Sequence, residues 1–301
     1  MNLQIKNKHH YIPKFHLQNW RNKSGQLLVY KKIGNGCIQS KLKHPSQVCF
    51  ENGLYSLERD FLGAQTLAPD YVENELSKID NDAAKVMKKI LSNSRLSSLT
   101  DEDKKSWAIY VFSLMNRNPD RIKANDELTG HIVKEILDEI KANGKEDAHE
   151  TYEQCCNILK DLNYGKNQVR LMLLSSCKDS EIVRTLSSFS WQLIKIDDNF
   201  PYRFILTENP VVTFGKDENI ATVVIALSPN LLWIAVPESF VSSAEFIDIA
   251  EYIILLYNSA QIIKKPQFII SSVVLKNDGF HRYDKIFSEF VKVTVGPNGK
   301  T

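Results

Sequence analysis

No stretch of this 301-residue chain is apolar for long enough to cross a lipid bilayer. The longest largely apolar runs, at 222–227, 231–236 and 253–257, have five or six residues, whereas a transmembrane helix needs about 20. The N-terminus has lysines but neither an apolar segment nor a small-residue cleavage site, so we expect no secretory signal. The sequence thus predicts a protein without a membrane partner.

Cysteine motifs are absent too. The five cysteines are odd in number and contain no Cys-x-x-Cys pair; they are Cys37, Cys49, Cys155, Cys156 and Cys177. This spacing favours neither a structural zinc site nor a disulfide framework. We therefore expect reduced thiols and a cytoplasmic location.

The signatures of several enzyme classes are also missing. The chain has no Walker A loop, no G-x-G-x-x-G fingerprint, no H-E-x-x-H motif and no EF-hand loop. Ser228 lacks the G-x-S-x-G context of a hydrolase nucleophile elbow. ATP-driven, dinucleotide-dependent and serine-hydrolase chemistry are therefore not indicated.

Acidic residues are missing from the first 50 residues, which carry nine lysines and arginines. Residues 51–301 hold 29 basic and 36 acidic residues, so a basic N-terminal segment precedes an acidic body. Two interpretations remain open. The basic segment could steer an anion towards a site, or it could pack against the acidic body and neutralise it.

Chemistry-bearing residues are densest at 9–20, a segment with three histidines and three aromatic side chains. In an extended strand His9 and His10 point to opposite faces, so only one of them can face a given site. That histidine could act as a general base or a metal ligand, because imidazole changes charge near neutral pH. The alternative is that one histidine binds a backbone group, the other is solvated, and the aromatic residues anchor the segment in the core.

The hydrophobic periodicity predicts an α+β protein, with a central helical bundle, an N-terminal hairpin and a C-terminal antiparallel sheet. Two runs, at 27–32 and 37–42, flank Gly-Asn-Gly, which is typical of a hairpin. The segment 48–60 is ambiguous, and the sequence leaves open whether the hairpin joins the C-terminal sheet. We predict a single domain over 1–301, with a basic histidine-rich segment at 1–68, a helical part at 69–188 and a β-rich part at 189–295.

Apolar residues at spacings of three and four predict a long helix from Pro69 to about residue 90. Thr100 before three acidic residues predicts the N-cap of a second helix, and Asn118-Pro119 predicts a break before a third, which ends at 143–144. Further helices are predicted at 147–162, 166–176, 179–188 and 242–263, with a stop at 163–165. Strands are predicted at 190–197, 204–207, 222–227, 231–236 and 267–275.

Several motifs along the chain resemble a known family in their order. They are His-His-Tyr-Ile-Pro-Lys-Phe-His-Leu at 9–17, the helix at 73–80, Arg-Asn-Pro-Asp-Arg at 117–121, Thr-Glu-Asn-Pro at 207–210, Leu-Ser-Pro at 227–229, and Asn258. The chain thereby resembles the bacterial family called domain of unknown function 4238. The resemblance spans nearly the whole chain and implies one evolutionary unit, but no activity. At Glu208 the chain departs from the family pattern, which has Asp before Asn-Pro.

Two acidic residues of the long helix could hold a divalent ion, Mg²⁺ or Mn²⁺. Glu73 and Asp80 are seven residues apart, which is about two turns and roughly 10 Å along the axis. Relative to Val72 they lie at about 100° and 80° around the axis, so both would line one edge of the apolar stripe. The alternative is a solvated acidic flank that pairs with lysines at helical spacing.

Arg117 and Arg121 flank the Asn118-Pro119 break. Arginine suits bidentate contacts with phosphate or carboxylate, and a helix that begins near Pro119 would direct backbone N–H groups at an anion. The alternative is that both arginines bind helix carbonyls or pair with nearby acids such as Asp120.

Asn209 lies in the Thr-Glu-Asn-Pro turn after a predicted strand. Turns at strand ends often carry function, although Asn-Pro is also typical of a purely structural turn.

These motifs predict a metal-dependent phosphodiesterase or nuclease that acts on nucleic acid or a nucleotide. The catalytic candidates are His9, His10, Arg117, Arg121 and Asn209, and the metal-ligand candidates are Glu73 and Asp80. The alternative is a non-catalytic module that binds nucleic acid or a nucleotide through the basic residues 1–50 and their aromatics. In a third interpretation the protein is an interaction scaffold, and the motifs only determine the fold.

Overall fold

Helices fill the middle of the chain, and antiparallel strands flank them in sequence. The computed structural model describes residues 8–32, 38–58, 67–93, 95–143, 162–198, 202–216, 219–238 and 250–272. The helices are α1 (Lys14–Gln18), α2 (Tyr71–Asn93), α3 (Asp101–Asn116), α4 (Pro119–Asn143), α5 (Leu162–Asp179), α6 (Glu181–Ser188) and α7 (Ala250–Ile263). The strands are β1 (Lys8–His10), β2 (Leu27–Lys32), β3 (Ile38–Lys43), β4 (Phe50–Asn52), β5 (Ser190–Lys195), β6 (Val211–Lys216), β7 (Asn219–Ser228), β8 (Leu231–Val236) and β9 (Phe268–Ser271). The predicted α+β class is confirmed.

The described strands form three antiparallel sheets. β1 pairs with β4, the second sheet has the order β3-β2-β9, and the third has the order β5-β8-β7-β6. Because β2 pairs with β9, the N-terminal hairpin joins the last described strand rather than the four-stranded sheet. β8 is buried at every position, as expected of an inner strand that is covered on both faces.

Local sequence explains the helix boundaries near the site. The side chain of Thr100 accepts a hydrogen bond from the Asp103 N–H, and the Asp103 carboxylate accepts one from the Thr100 N–H. This is the capping box predicted for α3. The predicted break at Asn118-Pro119 also separates α3 from α4.

Two predicted features are wrong. The segment 163–165 does not stop a helix but forms the first turn of α5, where its glycine lies beside Thr129 of α4. The segment 204–207 forms no continuous strand, since only Leu206 makes a β-bridge, with Ile270. Tertiary packing decides both outcomes, and local sequence pattern carries no information about it.

β6 was not predicted, because the Asn-Pro turn before it and Gly215 within it weaken the strand pattern. β4 occupies part of the ambiguous segment 48–60. The hairpin turn at 34–36, the helix at 147–161 and the first part of the helix at 242–249 lie outside the described residues.

Most buried apolar side chains belong to one hydrophobic cluster, which extends from Tyr11 near the N-terminus to Ile270 in β9. Trp107 of α3 packs edge-on against Trp233 of β8, with 6.0 Å between the ring centroids, so the cluster joins the helices to the four-stranded sheet. Trp20 anchors the N-terminal segment in it. The single domain over 1–301 stays a prediction, which this continuous core favours. Among the described helices, none has an apolar stretch that could span a membrane.

Candidate functional site

Arg117 lies in the break between α3 and α4, and its side chain is completely buried. Nη1 donates a hydrogen bond to Oδ1 of Asp80 on α2, at 2.8 Å. The guanidinium carbon also lies 5.6 Å from the centroid of the Tyr110 ring, close enough for a cation–π interaction. A carboxylate and an aromatic face thus compensate a cation that burial alone would disfavour.

Among the described residues, nothing accepts a hydrogen bond from the remaining guanidinium nitrogens of Arg117. Nε and Nη2 are both buried and have no hydrogen-bond partner. A buried donor without a partner costs about 1–3 kcal/mol, and more when it is charged. These two donors are therefore available to an acceptor that the described residues do not supply.

Asp80 and Arg117 shift each other's pKa. Burial raises the pKa of the Asp80 carboxyl, and the Arg117 guanidinium opposes that rise. Burial lowers the pKa of Arg117, but the Asp80 carboxylate and the hydroxyls of Tyr55 and Tyr110 outweigh it, so the pKa lies above its ordinary value. Arg117 is therefore a permanent buried cation.

His16 supports the aromatic face under Arg117. Its Nε2–H donates to the Ala226 carbonyl at 2.9 Å, and its Nδ1 accepts from the Tyr110 hydroxyl at 2.9 Å. Burial lowers the pKa of His16 to about 4, although the Ala226 carbonyl opposes this shift. His16 is therefore a neutral structural residue that joins α1 to α3 and β7.

His9 is also buried and has a structural partner. Its Nδ1 accepts a hydrogen bond from the Tyr55 N–H at 2.9 Å, and the two rings are stacked 5.6 Å apart. The Tyr55 hydroxyl in turn donates to the Arg117 carbonyl at 2.7 Å. The Nδ1 lone pair of His9 is thus used to hold Tyr55, and Tyr55 holds the backbone of Arg117.

His10 lies on the other face of β1, against the ring of Phe50. Burial lowers its pKa to about 4, with smaller contributions from Lys14, Lys8 and Arg117. The ring hydrogen-bonds to the backbone of Lys8, which raises the pKa, so the Lys8 carbonyl is the acceptor. Among the described residues its Nε2 is buried without a hydrogen-bond partner, so this ring nitrogen is the one available to a bound group.

Glu208 is a site residue that sequence reasoning missed in favour of its neighbour Asn209. Its Oε1 accepts a hydrogen bond from the Gln267 N–H at 2.7 Å, whereas Oε2 is buried without a partner. Nδ2 of Asn118 donates to the Glu208 carbonyl at 2.9 Å, so this turn lies directly beside the α3–α4 break. The sequence does contain a signal for Glu208, because a carboxylate directly precedes Asn-Pro in this motif.

Unsatisfied polar atoms therefore concentrate on three residues. In the described part of the chain, the buried side-chain nitrogens and oxygens without a partner belong to His10, Arg117 and Glu208, apart from three tryptophan indoles. These three residues lie in three different sequence motifs, at 9–17, 117–121 and 207–210. We name them the orphan triad.

The other predicted site residues have different positions. Glu73 is half-buried in the first turn of α2. Burial raises the pKa of the Tyr55 hydroxyl, and the charges of Glu73 and Asp80 add to that rise. Arg121 is exposed on α4. Burial lowers the pKa of Lys264, and the charge of Arg121 lowers it further. Asn209 is half-buried, and its N–H donates to the hydroxyl of Thr207. Within the described ranges, no group of three or more His, Cys, Asp or Glu is arranged to hold a metal ion.

The described residues thus define an α+β protein in which the buried polar atoms without a partner, apart from three indoles, belong to His10, Arg117 and Glu208. A family model described as protein of unknown function (DUF4238) matches residues 8–271. The chain belongs to this family, as the motifs indicated. Comparison with curated proteins and with solved structures gives no match.

The Asp80–Arg117 pair predicts a large effect of removing the carboxylate. We expect Asp80→Asn to lower the free energy of unfolding by about 3 kcal/mol, because Arg117 would remain buried without a counter-charge. The matched control is Asp82→Asn on the same helix. Asp82 pairs with Lys85 but is 54% exposed, so its substitution should cost less than about 1 kcal/mol. Urea unfolding at pH 7 measures both, and equal stabilities of the two variants would contradict the account.

The buried His16 predicts a loss of stability in acid. Its pKa is about 4 in the folded protein against an ordinary value of 6.5, so protonation favours the unfolded chain. The contribution is fully present above pH 6.5 and is lost as the pH falls towards 4, by on the order of 3 kcal/mol. Urea unfolding between pH 7 and pH 4 should therefore show a weaker pH dependence for His16→Gln than for the wild type. His131→Gln, at an exposed position of α4, should behave like the wild type; if His16→Gln does so too, the assignment is wrong.

Proposed function

We propose that this protein hydrolyses a phosphodiester bond in nucleic acid or a nucleotide. The observation that carries the proposal is the fully buried Arg117, whose Nε and Nη2 have no partner. In a guanidinium group, the Nε–H and one Nη2–H lie parallel on the same edge. That edge matches two oxygens of a phosphate group, which is the bidentate contact for which arginine is suited.

His10 is the base of the proposed reaction. Its Nε2 has no hydrogen-bond partner among the described residues, and its low pKa keeps the ring neutral at pH 7. A neutral imidazole can take a proton from a water molecule that attacks phosphorus. His9 is less suited to this role because its Nδ1 already accepts from Tyr55.

A divalent ion, Mg²⁺ or Mn²⁺, is part of the proposal. Oδ1 of Asp80 is engaged by Arg117, but Oδ2 has no hydrogen-bond partner among the described residues, and the side chain is 21% exposed. Glu73 lies two turns away on the same helix. Mg²⁺ is commonly held by one or two carboxylates together with substrate phosphate and water, and Asp80, with its partly exposed carboxylate, is the proposed ligand, to which Glu73 would add a second. The ion would neutralise charge on the phosphate.

A cleavage assay tests this function. Purified protein is incubated with single- and double-stranded RNA and DNA, with Mg²⁺, Mn²⁺ or a chelator. We expect cleavage that depends on the ion, and a loss of about 10²-fold or more in Arg117→Lys, which keeps the charge but removes the parallel edge. His10→Gln should lose about 10²–10⁴-fold.

Matched controls are Arg184→Lys and His131→Gln, two exposed positions on α6 and α4. Both should cleave like the wild type. The proposal fails if the wild type cleaves none of these substrates with either ion, or if Arg117→Lys and His10→Gln are as active as their controls.

A second candidate function is binding of nucleic acid without turnover. It is favoured by the exposure of the basic N-terminal residues Lys8, Lys14, Arg21, Lys23, Lys31 and Lys41. Among the described residues these side chains form no ion pair with the acidic body. The same substrates distinguish the two functions. Binding that weakens with salt and in Lys14→Glu and Arg21→Glu, with no cleavage, indicates this one.

A further inference from the structure

We propose that Glu208 is the general acid of the same reaction, and that its carboxyl group donates a proton to the oxygen that leaves phosphorus. This inference rests on the proposed phosphodiester hydrolysis and adds a third residue to it. The first observation is that Glu208 is 6% exposed and that its Oε2 has no hydrogen-bond partner. A buried carboxyl oxygen that no described residue satisfies is available to a bound molecule.

One hydrogen bond and two electrostatic interactions link the segments that carry the orphan triad. Asn118, which follows Arg117 in the chain, donates from Nδ2 to the Glu208 carbonyl at 2.9 Å. Tyr11, which follows His10, has its pKa raised first by burial and also by the charge of Glu208. The pKa of His10 is lowered mainly by burial, and the charge of Arg117 makes a smaller contribution to that shift. The segments that carry the three residues therefore interact with one another, through one hydrogen bond and through charge.

The turn that carries Glu208 is held firmly in place. The hydroxyl of Thr207 donates to the side chain of Gln261, and the carbonyl of Pro210 accepts from both Tyr257 and Gln261 of α7. Oε1 of Glu208 accepts from the Gln267 N–H. The protein thus holds Oε1 in place, whereas Oε2 has no partner among the described residues, as expected of an acid that is positioned for a bound molecule.

The surroundings of Glu208 also favour its protonated form. Burial raises the pKa of its carboxyl, and the charge of Asp120 adds to the rise, whereas hydrogen bonds from the backbone oppose it. His10 has the opposite shift, towards a neutral base. Burial thus shifts each group in the direction that its role needs, since the acid must hold a proton and the base must be neutral.

The proposed step is balanced in protons and bonds. A water oxygen forms a bond to phosphorus, and the water proton moves to Nε2 of His10. The bond between phosphorus and the leaving oxygen breaks, and the proton of Glu208 moves to that oxygen. The products are an alcohol and a phosphomonoester, and His10 returns its proton through solvent to Glu208.

A leaving-group comparison tests the acid role in the full-length protein. Glu208→Gln is assayed on a dinucleotide, whose leaving alkoxide needs a proton, and on bis(p-nitrophenyl) phosphate, whose leaving phenolate does not. We expect kcat/KM of Glu208→Gln to fall about 10²–10⁴-fold on the dinucleotide and to stay within about a factor of three on the activated diester. Arg117→Lys should fall on both. Glu208→Asp, which keeps a carboxyl group, should recover part of the dinucleotide activity.

The ratio of the two activities is measured in one preparation, so it does not depend on the fraction of folded variant. An equal fall of Glu208→Gln on both substrates would overturn the acid role while leaving the proposed function in place. Full dinucleotide activity in Glu208→Gln would overturn it as well. If the wild type hydrolyses neither substrate, the proposed function fails and the acid role falls with it.

Discussion

The ion pair between Arg117 and Asp80 is the interaction on which the candidate site depends. A guanidinium group cannot release its proton to escape burial, so the carboxylate on α2 must accompany it into the interior. The pair fixes α2 against the end of α3, and Tyr55 and Tyr110 bind the same arginine from two further sides. One edge of the guanidinium then remains without a partner among the described residues, and the proposed phosphate contact uses this edge.

The three histidines of the N-terminal motif show how environment assigns different roles to one residue type. His16 and His9 use ring nitrogens to hold Tyr110 and Tyr55, which in turn contact Arg117. Of these three histidines, only His10 has a buried ring nitrogen, Nε2, that lacks a hydrogen-bond partner among the described residues. Two of the three histidines of the motif therefore support the arginine, and the third is the one proposed as the base. A further contribution of the motif is Tyr11, which lies close to Glu208.

Local pattern was sufficient to predict much of the fold. The stripe of α2, the capping box of α3 and the Asn118-Pro119 break depend on residues a few positions apart, and all are confirmed. The site was less accessible, because its contacts join distant segments. The sequence gives no reason to distinguish Arg117 from Arg121, yet the first is buried and the second is exposed. Likewise, the helical spacing of Glu73 and Asp80 suggested a metal ion, but it contains no information about the pairing of Asp80 with Arg117. The sequence marks Glu208 as a departure from the family pattern, but that its Oε2 is buried without a partner is visible only in the structure.

The central claim is that Arg117 and His10 bind the same phosphodiester, and nuclear magnetic resonance tests it most directly. The arginine Nε–H and histidine ring signals are followed while a slowly hydrolysed phosphorothioate dinucleotide is added to the labelled protein. The account predicts that the signals of Arg117 and His10 shift together and saturate with one dissociation constant, while exposed Arg184 and His131 do not follow them. Saturating shifts confined to exposed basic residues, with Arg117 and His10 unchanged, would contradict it.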